Sequence, residues 1–275
     1  AGEAMRHIMQ NMLFSAHPEE TLYGAFINAV DTFGRKRLST EDTKQIEYRY
    51  QDLLKMVLAL GRLSSKISRP QERIGVLLPN MASSVSLIIG MTAMRRVPAM
   101  LNYTAGTEGI QNACTIGQIS TILTSKEFVI KGKFGDMLAG LHGIKIVYLE
   151  ELRPQFTLWD KVWLMAFALR FPRLAIPKSD SSQAAVVLFT SGSEGLPKGV
   201  VHTHQSLLAN IGQIKSVIDF TTEDKFLNPL PIFHAFGLTA GALLPLFTGS
   251  KLFLYPSPLH YKVIPEIVYD RRCTV

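Results

Sequence analysis

The sequence predicts an α/β protein, a layered and mostly parallel sheet flanked by helices. Three observations predict it. From Arg73 onward, short apolar runs alternate with stretches of helical spacing. Runs such as "RIGVLLPN" and "QAAVVLFT" are continuously apolar up to a turn, as strands covered on both faces are. With 47% hydrophobic and 19% charged residues, the 275-residue chain can bury a sizeable core and is not disordered.

The elements follow in order. Helical spacing over about 3–14 places Met5, Ile8, Met9, Met12 and Leu13 on one side. "SAHPEE" interrupts it, and Pro18 with Glu19 and Glu20 starts a second helix that runs through "TLYGAFINAVDTFG" to Gly34. A basic, polar stretch comes next, for which no element is predicted. "IEYRY" alternates like a short strand and "QDLLKMVLALGRLSSKI" is an amphipathic helix. Then the α/β rhythm begins: strand "RIGVLLPN", helix "ASSVSLIIGMTAMRR", extended "VPAMLNYT", helix "GTEGIQNACTIG", and strands "QISTILTS" and "IKIVYLEEL". "QAAVVLFT" is the next buried strand; it feeds a glycine-rich loop, with a helix beginning near Ser206. "KFLNPLPIFHAFGLTAGALLPLFTGSKLFLYP" supplies a Pro-rich loop, a helix and a strand.

Formal net charge is +7, which favours anionic partners. No nucleic-acid recognition motif accompanies it, so nucleic acid is not an expected partner. Cys114 and Cys273 are far apart and have no metal-ligand spacing, as in a reduced protein. Two windows, 74–94 and 226–250, contain no Asp, Glu, Lys or Arg and are long enough to span a bilayer. Both are broken by turn signals, Pro79-Asn80 in one and Pro229, Pro231 and His234 in the other, and buried strands with core helices give the same hydropathy. The segment 155–174, "QFTLWDKVWLMAFALRFPRL", carries both tryptophans, Trp159 and Trp163, with Lys161, Arg170 and Arg173. It suits either a membrane interface or a helix packed against the core or a further domain.

The chemistry is concentrated in "LFTSGSEGLPKGVVHTH". Gly192, Gly195 and Gly199 allow positive φ and close approach of a ligand. Successive backbone N–H groups can then cradle an anion, with Thr190, Ser191 and Ser193 adding hydroxyls and Lys198 a mobile charge. The loop is not a Walker A motif, because Pro197 stands where its second glycine must be and Gly199 follows the lysine. Nor is it a nucleophile elbow, since Phe189 occupies the first glycine position. Glu194 puts a carboxylate inside this cradle. It can face solvent, pair with Lys198 or another base, or help hold a magnesium ion.

"TSGSEGLPKG" resembles the signature loop of the adenylate-forming superfamily, the acyl- and aryl-CoA synthetases, written [ST]-S-G-[ST]-T-G-x-P-K-G; nine of ten positions fit and Glu194 replaces threonine. "GVVHTHQSLLAN", "PLPIFHAFGLT", "ERIGVLLPN" and "VPAMLNYTAG" resemble flanking segments of that family, so the likeness covers about 21–275. "MLNYTAG", "DKVW", "FLYPSPLHY" and "VYDRRCTV" are similar to the branch that joins a glycerolipid acyltransferase domain to an acyl-[acyl-carrier-protein] synthetase domain. The resemblance implies that residues 1–20 are the tail of the acyltransferase domain and 21–275 an incomplete adenylate-forming domain. It implies ATP and Mg²⁺ as cofactors, and fatty acid, acyl carrier protein and lysophospholipid as partners. It also implies a place at the cytoplasmic face of a bacterial inner membrane.

By the same resemblance Thr190, Ser191, Gly192, Ser193, Gly195, Lys198 and Gly199 hold the ATP phosphates, with Glu194 among them. His234 borders the acyl pocket, and Phe233, Phe236 and Gly237 shape it. Ordinary packing is the competing reading for the last three, and a turn histidine for His234. His204 fits a family position, though a structural role at a helix start suits it better. The family's Y-G-x-T-E and [ST]-G-D motifs and its mobile lysine do not occur in these residues, nor does an acyltransferase HxxxxD. The 275 residues are therefore expected neither to adenylate nor to acylate unaided. A long-chain acyl-CoA synthetase, and a non-catalytic lipid-binding or membrane-docking module, are the alternatives.

Overall fold

The structure, a computed structural model, describes residues 2, 5, 20–190, 197–257 and 259–275. Most of the helix expected over 3–14, and Ser191, Gly192, Ser193, Glu194 and Gly195 of the loop, lie outside them.

Two sheets form the frame. The smaller has the order β2-β1-β10-β9, with β1 Leu38–Asp42, β2 Glu47–Arg49, β9 Lys225–Asn228 and β10 Lys251–Leu254. The larger has the order β6-β5-β3-β4-β7-β8, with β3 Arg73–Val76, β4 Val97–Met100, β5 Thr121–Thr124, β6 Lys145–Tyr148, β7 Ala184–Thr190 and β8 Lys198–Thr203. All pairings are parallel except β1 with β2 and β7 with β8. The expected layered, mostly parallel α/β architecture is present.

Strand periodicity distributes the apolar side chains between two cores. Met100, Leu123, Val186 and Leu188 face a large core with helices Leu22–Phe33, Tyr50–Lys66 and Ala82–Ala93 and the smaller sheet. Their neighbours Ala99, Ile122 and Val187 face a second core under helix Gly106–Gly117, with Ile110, Ala113 and Cys114. This two-sided burial explains the continuous apolar runs. It also accounts for window 74–94, which is β3 followed by a buried helix. Window 226–250 is β9, a Pro-containing connection, and short helical pieces up to Thr248. Among the described residues no helix is long and apolar enough to cross a membrane.

Helices Tyr50–Lys66 and Ala82–Ala93 cross at unusually close range. A Cβ on Gly61 would stand 2.4 Å from the Gly90 carbonyl oxygen, and one on Gly90 would stand 2.3 Å from that of Val57. Only glycine at both positions permits this approach.

Four readings need correction. The polar stretch left without an element contains β1, whose Ser39, Thr40, Glu41 and Asp42 are buried. Its burial is offset by partners, fully at Glu41 and in part at Asp42: Glu41 bonds Lys225 at 3.0 Å and also Arg271, while Asp42 Oδ1 accepts the Lys44 N–H at 3.1 Å and its buried Oδ2 has no hydrogen bond. "IKIVYLEEL" is a strand only to Tyr148, after which Leu149–Leu152 turns into a helix. The glycine-rich loop feeds β8, and the following helix starts at His204, capped by the Thr203 hydroxyl on the Ser206 N–H at 3.0 Å. Gly199 lies within β8 without positive φ. Its missing Cβ instead clears the Phe189 ring, which would lie 3.3 Å away.

Candidate functional site

The parallel strands of both sheets end at one cavity of about 1910 Å³. Leu78, Pro79 and Asn80 reach it after β3, Tyr103 and Thr104 after β4, and Ser125 after β5. Leu230, Pro231, Phe233 and His234 reach it after β9, and Pro256 and Ser257 after β10. Carboxyl ends of parallel strands are where open α/β sheets bind ligands, because the connecting loops diverge there and backbone groups are free.

The predicted phosphate cradle is tied to this edge. Thr190 and Lys198 are cross-strand partners in the β7–β8 hairpin, next to the Phe189–Gly199 pair. β7 runs parallel to β4 with Leu188 opposite Met100, so the hairpin opens at the edge that carries Tyr103 and Thr104. Thr190, Lys198 and Gly199 are thus brought together. The intervening residues of the predicted set lie outside the described residues.

One wall of the cavity is aromatic. The Tyr103 ring meets Phe233 edge-on at 4.9 Å and Phe128 at 5.2 Å, and Phe134 lies 5.0 Å from Phe128. The His234 ring lies 4.5 Å from Phe233, and its backbone opens the turn Ala235–Leu238. Edge-to-face contacts of this kind add roughly 0.5–1.5 kcal/mol each beyond area burial. The opposite wall comes from helix Tyr50–Lys66, with Met56, Ala59, Leu60 and Leu63. Phe233 and His234 line the cavity. Phe236 is 68% exposed and does not line it. Gly237 is buried behind it, where a Cβ would stand 2.3 Å from the Pro231 carbonyl oxygen.

Asn80 fixes this arrangement. Its side chain is buried; Nδ2 donates to the carbonyls of Leu230 at 2.6 Å and Tyr255 at 3.0 Å, and Oδ1 accepts the Ile232 N–H at 2.9 Å. A single amide thereby pins the loop bearing Phe233 and His234, and the exit of β10, to the end of β3. Asn228 supports the same loop, donating to the Gly237 carbonyl at 3.0 Å.

The lining carries five cations, Lys44, Lys55, Lys131, Arg153 and Lys161, against Glu127 and Glu150. Both carboxylates are engaged. Glu127 bonds Lys131 and Lys44, each at 2.8 Å, and these bonds lower its pKa to about 2. The Lys44–Glu127 pair joins the end of the smaller sheet to that of the larger. Glu150 is held down, against the opposing effect of desolvation, by the Ser125 hydroxyl at 2.7 Å and the Lys126 N–H at 3.0 Å. The surplus of positive charge around apolar walls suits an amphiphile with an anionic head. Among the described residues no group of three or more His, Cys, Asp or Glu could hold a metal ion.

His204 stands apart from the cavity. It is buried, and Nδ1 accepts the Leu22 N–H at 3.1 Å; burial pushes its pKa down to about 4, against the pull of Asp180. The structural role expected for it is the one seen. The two tryptophans divide. Trp159 is 82% exposed, whereas Trp163 packs against the large core with the Arg62 guanidinium 5.0 Å from its ring.

Sequence reasoning missed Tyr103, Phe128, Phe134, Asn80 and the Lys44–Glu127 pair. The turn closing "RIGVLLPN" places Asn80 at the end of a strand, which is the available signal for a site residue, whereas Tyr103 falls within "VPAMLNYT", which reads as extended. Nothing local marks Phe128 or Phe134.

Comparison with known proteins agrees with this architecture. A medium-chain fatty-acid–CoA ligase of Escherichia coli is 42% identical over 72 residues, 26% of this chain and 13% of that protein. A long-chain-fatty-acid–CoA ligase of Mycobacterium tuberculosis is 39% identical over 87 residues, 32% of this chain and 17% of that protein. These matches span less than a fifth of either relative. Among solved structures, the N-terminal subdomain of Klebsiella oxytoca NpsA in complex with 3-hydroxybenzoyl-AMSN superimposes with a TM-score of 0.75 at 15% identity, over 93% of this chain and 59% of that one. The N-terminal domain of FACL13 from Mycobacterium tuberculosis gives 0.71 at 19% identity, over 92% and 61%. The fold is that of these two N-terminal domains. The family model described as AMP-binding enzyme matches residues 28–275, and the chain belongs to that family.

Proposed function

We propose that this chain forms the carboxylate-activating part of an acyl-[acyl-carrier-protein] synthetase. The observation that carries the proposal is the apolar, aromatic-walled cavity with its cationic surplus, opening at the sheet edge that holds Thr190 and Lys198 together. A fatty-acid carboxylate oxygen attacks the α-phosphorus of ATP; pyrophosphate leaves and an acyl-adenylate forms. The phosphopantetheine thiol of acyl carrier protein then attacks the acyl carbon, AMP leaves, and a thioester results. Thr190, Lys198 and Gly199, with Ser191, Gly192, Ser193 and Gly195, hold the leaving phosphates so that their charge meets donors already in place. The chain around Tyr103, Phe233 and His234 takes the acyl group, and Asn80 positions the last two. Mg²⁺ enters this reading bound to the nucleotide.

The wider reading is similarity to the bacterial 2-acylglycerophosphoethanolamine acyltransferase/acyl-[acyl-carrier-protein] synthetase. It adds a preceding acyltransferase domain ending near residue 20, lysophospholipid as the final acceptor, and the cytoplasmic face of the inner membrane. Its support is sequence similarity in "MLNYTAG", "FLYPSPLHY" and "VYDRRCTV". Coenzyme A as acceptor is the second reading, favoured by the CoA-ligase names of the relatives. Calorimetry with a long-chain acyl-sulfamoyl-adenosine tests the adenylation reading: saturable one-to-one binding is expected, and absence of binding overturns it. Offering holo-acyl carrier protein and CoA in parallel to the enzyme separates the acceptors, with higher kcat/KM for the carrier protein expected.

A further inference from the structure

We infer that the outer face of the 158–171 segment is the docking surface for an anionic lipid bilayer, and that the cavity opens beside it. This names the surface through which the membrane partner proposed above is met. The docking inference stands on the segment itself; lateral entry of an acyl chain rests on the acyl reading of the cavity.

The segment is a helix over Leu158–Val162 continued by a π-helical turn over Trp163–Ala168. Its inner stripe is fixed. Asp160, Leu164 and Ala168 are buried. The Asp160 carboxylate accepts Arg62 Nε at 3.0 Å, the Thr157 hydroxyl at 2.9 Å and the Lys66 ammonium. Against the desolvation that raises its pKa, these bonds hold the carboxyl well below the usual range. The outer side chains are therefore displayed by an anchored element. They are large and apolar: Leu158 is 75% exposed and Trp159 82%, with Val162, Met165, Phe167 and Phe171 beside them. An exposed apolar stretch of this kind marks an interaction surface.

Charge selects the occupant. Over residues 155–178 the sole acid is Asp160, buried and paired, while Lys161, Arg170, Arg173 and Lys178 are basic; Arg173 is paired with Asp31 at 3.1 Å, so Lys161, Arg170 and Lys178 carry the charge argument. Apolar and aromatic side chains among cations, with no exposed carboxylate of the segment's own, match the boundary of a bilayer carrying anionic headgroups. The 158–168 run is about 16 Å long at 1.5 Å per residue, roughly half a hydrocarbon core, so it lies in the interface and does not cross it. Lys161, Leu164 and Met165 also line the cavity, so one turn of chain is both outer surface and cavity wall.

The chain's two tryptophans provide the test. Trp163→Phe leaves Trp159 as reporter, and Trp159→Phe leaves Trp163. Each variant is mixed with vesicles of phosphatidylcholine and phosphatidylglycerol in which the phosphatidylcholine is brominated on its acyl chains. Emission from Trp159 is expected to shift to shorter wavelength and be quenched, with Trp163 much less affected. Phosphatidylcholine alone should give weaker binding. Leu158→Glu with Trp159→Glu, tested in vesicle co-sedimentation, should weaken association at least about tenfold. Thermal unfolding of that variant controls for folding. Three results would each overturn docking: no quenching, equal quenching of both tryptophans, or full vesicle binding by the double variant. Self-association abolished by the double variant, without vesicle binding, would assign the face to a second copy instead. Acyl-sulfamoyl-adenosine binding without vesicles reads the adenylation proposal separately, so either can fail alone.

Discussion

Asn80 and Ile232 are 152 residues apart, yet the Ile232 N–H donates to the buried Asn80 Oδ1 at 2.9 Å while the same amide donates to Leu230 and Tyr255. Asn80→Ala is expected to leave three backbone groups unpaired, the Ile232 N–H buried and the Leu230 and Tyr255 carbonyls half-buried, and to cost about 2–4 kcal/mol, read by urea unfolding. Asn80→Asp, which sets an oxygen against the Leu230 carbonyl, should cost at least as much. An unchanged urea midpoint for both would remove Asn80 from its positioning role.

Gly61→Ala and Gly90→Ala should each be severe, because the added Cβ meets backbone that has no rotamer to yield. Separation of the two helices is expected to cost about 2 kcal/mol or more in each variant. The double variant should cost less than the sum, since one displacement relieves both clashes. Denaturant unfolding of the three variants gives the coupling directly.

His204 predicts an acid-sensitive fold. Its pKa falls from the ordinary 6.5 to about 4 on folding, chiefly by burial. The neutral form is what the folded state keeps, so this contribution is complete above pH 6.5 and is lost as pH falls toward 4. The unfolded chain binds the proton first, and the loss is at most about 3 kcal/mol. His204→Asn, which can still accept the Leu22 N–H, should flatten the pH dependence of the urea midpoint between pH 7 and 4.5.

Ala59 lies on the cavity wall opposite the aromatic cluster. Ala59→Trp should fill space that the acyl chain takes in the proposed function. Binding of a sixteen-carbon acyl-sulfamoyl-adenosine is expected to weaken about tenfold or more, roughly 1.4 kcal/mol, with an eight-carbon analogue little changed. Equal weakening of both would mean that the chain lies elsewhere.

Glu194→Thr restores the residue common in the resembled loop. It is expected to keep ATP-dependent activity of the enzyme within about tenfold, a barrier change of about 1.4 kcal/mol. A far larger loss would give the carboxylate a metal-holding or switching role.

The parts of the fold legible in the sequence are those whose signal is local. Strands β3, β5 and β7 announce themselves because both faces are buried and their central residues are apolar. β1 does not, because "LSTED" is made burial-tolerant by Lys225 and Arg271, which lie far along the chain. β8 was hidden for a related reason: its Gly199 and Val200 look like loop and its pairing partner is set by the hairpin. At the candidate site, the glycine-rich loop stands out by its residue types, and Phe233 and His234 enter by resemblance. The aromatic wall was not, since Tyr103, Phe128 and Phe233 meet only when three separate connections converge.

The rung between Thr190 and Lys198 has a thermodynamic consequence for the nucleotide recognition proposed above. The chain-closure entropy of the stretch between them is met when β7 and β8 pair, before any ligand arrives. Changes in the length of that stretch then enter only logarithmically, at roughly 0.6 kcal/mol per doubling. In the proposed phosphate-binding role, affinity then depends on the donors rather than on polymer statistics, and insertions there should perturb folding more gently than loss of Lys198 perturbs binding.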